Sequence, residues 1–217
     1  MSPTLLQNSG PSPVPAATTV LGVLGGIASG KSLAARLLAG PGGVVIDADE
    51  LVDAMYSDPS FRERVVEHFG ARVRQADGSI DRAALGRLVF DDPRERRRLE
   101  GWIHPRVREK IEQRMSEARA ARVPRVVLDV PLLLENDAQH HLASSCSALV
   151  FVDAPRAQRE ARALARGWAA GELARREATQ MPLEEKRSRA QYTIENHGTK
   201  QQLSEAVSEL LSALALD

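Results

Sequence analysis

The chain has 217 residues, 29 basic against 29 acidic side chains and a hydrophobic fraction of 43%. This suits one compact α/β domain with an insertion, or two closely coupled domains, and the balanced charge gives no electrostatic footprint for nucleic acid or an anionic membrane. The single cysteine, Cys146, excludes an internal disulfide and a Cys-based zinc site, and no apolar run approaches the ~20 residues of a membrane span. A cytoplasmic protein without nucleic-acid or membrane partners is therefore expected, with a monomer favoured.

Residues 1–17 are rich in Ser, Pro, Thr and Ala, without a basic start or an apolar core. They read as a disordered tail rather than a signal peptide. A first strand is expected over Thr19–Leu24 and a helix over Lys31–Leu38. Between them lies Gly25-Gly26-Ile27-Ala28-Ser29-Gly30-Lys31-Ser32, with the G-x-x-x-x-G-K-[ST] spacing of a phosphate-binding loop. The glycines let the backbone approach a polyphosphate closely. The N–H groups along Ala28, Ser29, Gly30, Lys31, Ser32 and Leu33, at the helix start, point at the anion. Lys31 is positioned for the β- and γ-phosphates and Ser32 for Mg²⁺.

Val44–Ile46 reads as a second, short strand ending at Asp47-Ala48-Asp49. Carboxylates at the C-terminal end of a parallel strand face the same crevice as the loop, so Asp47 and Asp49 are the first acid–base or metal candidates. From Glu50 to about Val123 the apolar spacing is helical, with helices expected over Leu51–Tyr56, Phe61–Phe69, Arg82–Phe90, Pro93–Trp102 and Pro105–Ala121. Asp81 suits an N-cap, and Pro93 and Pro105 suit first helical positions.

Strands return at Arg125–Asp129, the latter resembling a Walker B strand, and at Ala148–Val152. An Arg-dense helical stretch, Arg156–Arg189, is broken at Gly167, Gly171 and Pro182. A last strand, Tyr192–Ile194, and a helix, Gln201–Leu216, complete the chain. The fold class expected is an α/β P-loop NTPase core with a five-stranded parallel sheet. Its core spans 18–50, 124–154 and 190–217, with a helical acceptor-binding insertion over 51–123 and a helical lid over 155–189.

A phosphate loop names a nucleoside triphosphate, not its use. A small-molecule kinase, a GTPase switch and a mechanical or nucleic-acid-dependent ATPase all use one. A guanine-reading N-K-x-D is absent, and no basic face serves a motor. A kinase needs an acceptor site, a base and a lid that excludes water; the insertion, Asp49 and the Arg-rich segment can supply them.

The chain resembles the dephospho-CoA kinase family. The resemblance is carried by the loop, Val45-Ile46-Asp47-Ala48-Asp49, Asp81-Arg82 with Leu85 and Val89-Phe90, and Ile103-His104-Pro105 after Leu99-Glu100. Further on come Val130-Pro131-Leu132-Leu133-Leu134-Glu135, Gln180-Met181-Pro182-Leu183-Glu184-Glu185-Lys186 and Ile194-Glu195-Asn196-His197-Gly198. Leu24, Ala28 and Leu33 stand where the family usually has Thr, Gly and Thr.

The resemblance implies transfer of the γ-phosphate of ATP, with Mg²⁺, to the ribose 3′-hydroxyl of dephospho-CoA. The alternatives are another small-molecule P-loop kinase or a nucleotide-binding regulatory protein. Asp49 is the expected base, with an N-cap as the competing role; Asp47 is structural or reaches Mg²⁺ through water. Arg176 is the expected lid arginine, ahead of Arg162 and Arg166. Asn196 is placed near adenine or in an ordinary turn. His104-Pro105 bonds the acceptor or fixes a helix start, and Glu135 and Asp129 place water or Mg²⁺ or tie the insertion to the sheet. The run Arg94, Arg96, Arg97 and Arg98 reads as a solvated face, and His140-His141 is set aside as a metal site.

Overall fold

The computed structural model describes residues 18–214; the expected tail over 1–17 and the expected helix end at Leu216 lie outside them. Five parallel strands form one sheet in the order β2-β3-β1-β4-β5. They are β1 (Thr19–Gly25), β2 (Val44–Asp47), β3 (Arg125–Asp129), β4 (Ala148–Asp153) and β5 (Tyr192–Glu195). The strands are apolar on both faces, as a sheet covered on both sides requires. Val20 and Leu24 pack with Ile46, Leu128 and Phe151 on one face, and Leu21 and Val23 with Val127, Val150 and Ile194 on the other.

Helices α1 (Lys31–Ala39) and α10 (Lys200–Leu214) cover the second face through Ala34, Ala35, Leu38, Leu203 and Val207. The first face is covered by α2 (Ala48–Ser57) and α5 (Pro93–Ala120), through Leu51, Val107, Ile111 and Met115. With α3 (Pro59–Phe69) and α4 (Arg82–Asp91) these helices form the insertion. It has a core of its own around Phe61, Val65, Phe69, Leu85 and Leu99. Asp58, Asp81 and Asp92 cap α3, α4 and α5 with their carboxylates.

One expectation is corrected. The helices read as Pro93–Trp102 and Pro105–Ala121 are a single helix, α5, with Pro105 in its interior rather than at a first position. An interior proline costs about 3 kcal/mol or more. The buried side chains Leu99, Val107, Ile111 and Met115 run along α5 on both sides of Pro105. At about 1.5–3 kcal/mol each, they outweigh that cost. The stripe also joins the two cores: Leu99 belongs to the insertion core, Val107 onward to the sheet core, and Ile103 packs against both.

The remaining elements are short. After β3 comes α6 (Asp137–His140), and after β4 come α7 (Arg156–Ala165), α8 (Glu172–Glu177) and α9 (Leu183–Ser188), with left-handed glycines Gly167 and Gly171 between α7 and α8. The C-terminal ends of all five strands open on one crevice, where the phosphate loop lies.

Candidate active site

The loop joins β1 to α1 in the expected place. Gly30 takes a left-handed conformation (φ 96°) and leaves the start of α1 without a side-chain cap. A Cβ there would lie 2.4 Å from Asn196 Nδ2, so only glycine fits. The Ser29 N–H donates to Gly26 O and the Leu33 N–H to Gly30 O, at 3.2 and 3.1 Å. Among the described residues, the N–H groups of Ala28, Gly30, Lys31 and Ser32 have no internal partner, which leaves four donors for an anion. Ser29 is buried, and its hydroxyl has no partner among the described residues. Leu33 packs against the sheet core. The Ser29 side chain is thus turned into the protein and that of Leu33 toward the sheet core.

Ala28 has φ 59°. This left-handed conformation costs a non-glycine residue about 1–2 kcal/mol. Ala28→Gly is expected to raise stability by about 1 kcal/mol in denaturant unfolding, with turnover retained.

Lys31 Nζ donates to Gly25 O and Gly26 O at 3.1 and 2.9 Å. Burial lowers its pKa from 10.5 to about 8; Asp129 opposes the shift, and Lys186, Arg159 and Arg166 add to it. The ammonium is therefore charged below pH 8 and lost above it. In the free protein, kcat/KM for the triphosphate is expected to fall about tenfold per unit above pH 8. Lys31→Arg removes that limb, because guanidinium stays charged.

Opposite the loop, Asp47 and Asp129 end β2 and β3, and Asp49 follows in the first turn of α2. Asp47 and Asp129 are register partners on β2 and β3. Asp47 is the N-cap of α2, its Oδ1 accepting from the N–H groups of Asp49 and Glu50 at 2.8 and 3.3 Å. The capping role considered for Asp49 thus belongs to Asp47, and the Asp49 carboxylate in the first turn of α2 is left facing the crevice. Partial burial raises its pKa, followed by Asp47, Asp129 and Asp53, while Arg82 opposes. Asp129 is buried and its pKa is also raised by burial; a hydrogen bond from Ser32 opposes the rise, Asp47 adds to it and Lys31 opposes it.

A cavity of about 550 Å³ opens beside Asp49, within the ~300–1,000 Å³ usual for small-molecule sites. Its walls include Val52 on α2, Ile103, His104, Val107 and Arg108 on α5, Leu132 after β3, and His140 on α6. His104-Pro105 therefore lines this space. An acid at a cavity mouth, facing a phosphate cradle, is the layout of a phosphoryl transferase with a separate acceptor.

The other side of the loop is held by α7 and β5. Arg162 Nη1 donates to Ala28 O and Ser29 O, both at 3.2 Å. Asn196, buried after β5, donates from Nδ2 to Ser29 O at 2.7 Å. Arg159 forms a buried ion pair with Glu177 and packs against Gly26. The structure does not bring Arg176 to the loop. Its Nε bonds Glu172 Oε1 at 2.7 Å and its guanidinium stacks on Trp168 at 4.2 Å. Arg175 lies over the exposed ring of Phe90 at 5.0 Å, so α8 reaches across to α4.

Two of the sequence motifs meet in one ion pair: buried Lys186 bonds Glu135 Oε1 at 2.7 Å and Gln180 Oε1 at 3.2 Å, and Glu135 Oε1 accepts the Met181 N–H at 3.1 Å. Glu135 thus ties the segment after β3 to α9.

The dephospho-CoA kinase family model matches residues 19–202. The chain belongs to the dephospho-CoA kinase family. The dephospho-CoA kinase of Geobacter sulfurreducens is 40% identical over 193 residues, covering 88% of this chain and 96% of its own. That of Symbiobacterium thermophilum is 43% identical over 183 residues, covering 83% and 74%. A crystal structure of a Thermus thermophilus protein superposes with TM-score 0.74 at 35% identity, covering 92% of this chain and 99% of its own. Shikimate kinase of Aquifex aeolicus shares the fold alone, at TM-score 0.51 and 16% identity.

As a dephospho-CoA kinase the chain is an ATP-dependent kinase with the α/β P-loop core expected from its sequence. Loop, Asp49, Asp129 and cavity converge on one crevice. Arg162 and Asn196 both bond the loop at Ser29 O, while Arg176 lies away from it, on Glu172 and Trp168. A signal for Arg162 lay in the order of elements: α7 follows β4, which is the neighbour of β1.

Proposed function

We propose that the loop binds ATP with Mg²⁺, that the cavity beside Asp49 takes dephospho-CoA, and that Asp49 receives the proton of the ribose 3′-hydroxyl as the γ-phosphate is transferred. The products are ADP and coenzyme A, and the reaction is the last step of coenzyme A biosynthesis. The observation that carries this reading is that Asp49 lies in the cavity wall and at the strand ends that face the loop.

Each part has a limited task. The four free N–H groups and Lys31 hold the triphosphate. Asp49 orients the hydroxyl, and its raised pKa brings it closer to that of a useful base. Arg162, against the loop at Ala28 O and Ser29 O, is a candidate to balance charge on the transferring group beside Lys31. The lid spans 155–189, the insertion 51–123, and the core the rest of 18–217.

The donors present fit Mg²⁺. Asp129 stands beside the Ser32 hydroxyl and across from Asp47, and Lys31 offsets its charge only in part. Among the described residues no three His, Cys, Asp or Glu side chains form a metal-binding group. Mg²⁺ characteristically takes one or two protein ligands and fills its sphere with phosphate and water. Ser32 would be one ligand, with Asp129 behind it, and the ion would offset charge on the triphosphate. Both sites lie within one chain, so a monomer suffices, and the free Cys146 fits the reducing cytoplasm.

Filling the cavity tests the reading. Val52→Trp is expected to raise KM for dephospho-CoA at least tenfold while KM for ATP stays within twofold. Unchanged KM for dephospho-CoA would place the acceptor elsewhere.

A further inference from the structure

The cavity beside Asp49 is lined on α5 from Ile103 to Glu112, and a second cavity of about 210 Å³ is lined on the same helix from Arg108 to Arg119. The two share Arg108, Glu112 and Leu142, so they lie end to end along α5. At a rise of ~1.5 Å per residue, the first runs for about 14 Å and the pair for about 24 Å. Met115 and Leu142 give the second cavity an apolar floor, each only 3% exposed. Arg119 and Ser145 line it from the exposed side. Arg108 is engaged, its Nε with Glu112 Oε1 at 2.8 Å and its Nη1 with Gln139 O at 3.1 Å. The Ser145 hydroxyl donates to Leu142 O at 2.7 Å.

We propose that the second cavity holds the thiol-bearing end of the pantetheine arm of dephospho-CoA, the rest of the acceptor lying in the first. The inference rests on the reading of the first cavity as the acceptor site. Length supports it. The extended arm has about as many chain atoms as four residues, hence spans about 14 Å. With the 3′-hydroxyl at Asp49, the ribose and the pyrophosphate come before the arm, so the acceptor outruns the first cavity and its far end reaches the second. Chemistry supports it too. The arm ends in methylenes and a neutral thiol, which suit a floor of Met115 and Leu142. A negatively charged occupant would meet the Glu112 carboxylate in the wall, and Arg108, the cation common to both cavities, is already paired.

Ser145 lines the second cavity and not the first, and it is exposed, so it can be enlarged without disturbing a core. Ser145→Phe is expected to raise KM for dephospho-CoA about tenfold, as when roughly two methylenes of the arm are left in water. The kcat and the KM for ATP should stay within twofold of wild type. An unchanged KM for dephospho-CoA overturns the proposal. If Val52→Trp raises that KM while Ser145→Phe does not, the first cavity stands as the acceptor site and the role of the second fails. If neither does, the acceptor assignment itself fails.

The acceptor's own thiol supplies a second test. Ser145→Cys is first converted with cystamine to its mixed disulfide with cysteamine. The thiolate of dephospho-CoA then attacks the sulfur at position 145 and releases cysteamine, with no net oxidation, and intact mass reads the exchange. Cys146 stays out of it, because burial and Asp137 push its thiol up to about 12; the unaltered protein serves as the blank. With each thiol at about 10 μM, dephospho-CoA is expected to exchange about a hundredfold faster than pantetheine, since the bound nucleotide holds the thiol at a millimolar effective concentration. Equal rates for the two overturn the proposal, whatever the KM of Ser145→Phe.

Discussion

Asp49→Asn is expected to lower kcat by about two to four orders of magnitude, the usual contribution of a positioned general base, while ATP binding is retained. The amide preserves the size of the side chain and the start of α2, because the cap of that helix is Asp47. Stability should therefore change little, and a loss of turnover would report chemistry rather than folding. Removing the charge also relieves its repulsion with Asp47, Asp129 and Asp53, so any change in melting temperature should be small and upward. Single-turnover phosphoryl transfer with ATP already bound measures the step. A kcat within threefold of wild type would reduce Asp49 to a bystander.

Lys31→Ala is expected to lower kcat/KM for ATP by about two to three orders of magnitude, as when one preorganised electrostatic contact to the developing charge is deleted. The free protein is expected to tolerate the change. Lys31 is a buried ammonium whose pKa burial lowers to about 8, bonded only to Gly25 O and Gly26 O. The substitution leaves Asp129 without its nearest offsetting charge, so affinity for Mg²⁺ in the absence of nucleotide should rise or stay constant as that for ATP falls. Steady-state kinetics together with a nucleotide titration separates the two. An unchanged KM for ATP would contradict the placement of the triphosphate.

Much of this arrangement was legible in the sequence because the signals are local. A phosphate loop between an apolar strand and a helix is set by residues adjacent in the chain, and strands buried on both faces read as unbroken apolar runs. Pro105 misleads because a proline at a helix start and one inside a helix look alike locally. The stripe from Leu99 to Met115 decides between them, and it acts only once two cores exist to bury it.

The arginine that touches the loop in the free protein shows a second limit. Arg162 and Arg176 lie in equally Arg-rich sequence, and the choice follows from where α7 starts beside the loop and from Trp168 and Glu172 holding Arg176. Glu135 and Lys186 each belong to a recognisable motif. Their pairing across 50 intervening residues, with Lys186 deeply buried, is a property of the fold.

A crystal structure of the protein with a non-hydrolysable ATP analogue, Mg²⁺ and dephospho-CoA tests the central claim most directly. The account predicts the ribose 3′-hydroxyl within hydrogen-bonding distance of the Asp49 carboxylate, in line with a γ-phosphate on the Ala28–Ser32 loop, and the pantetheine arm in the cavity between α2 and α5. Dephospho-CoA bound elsewhere, with Asp49 facing solvent, would contradict it.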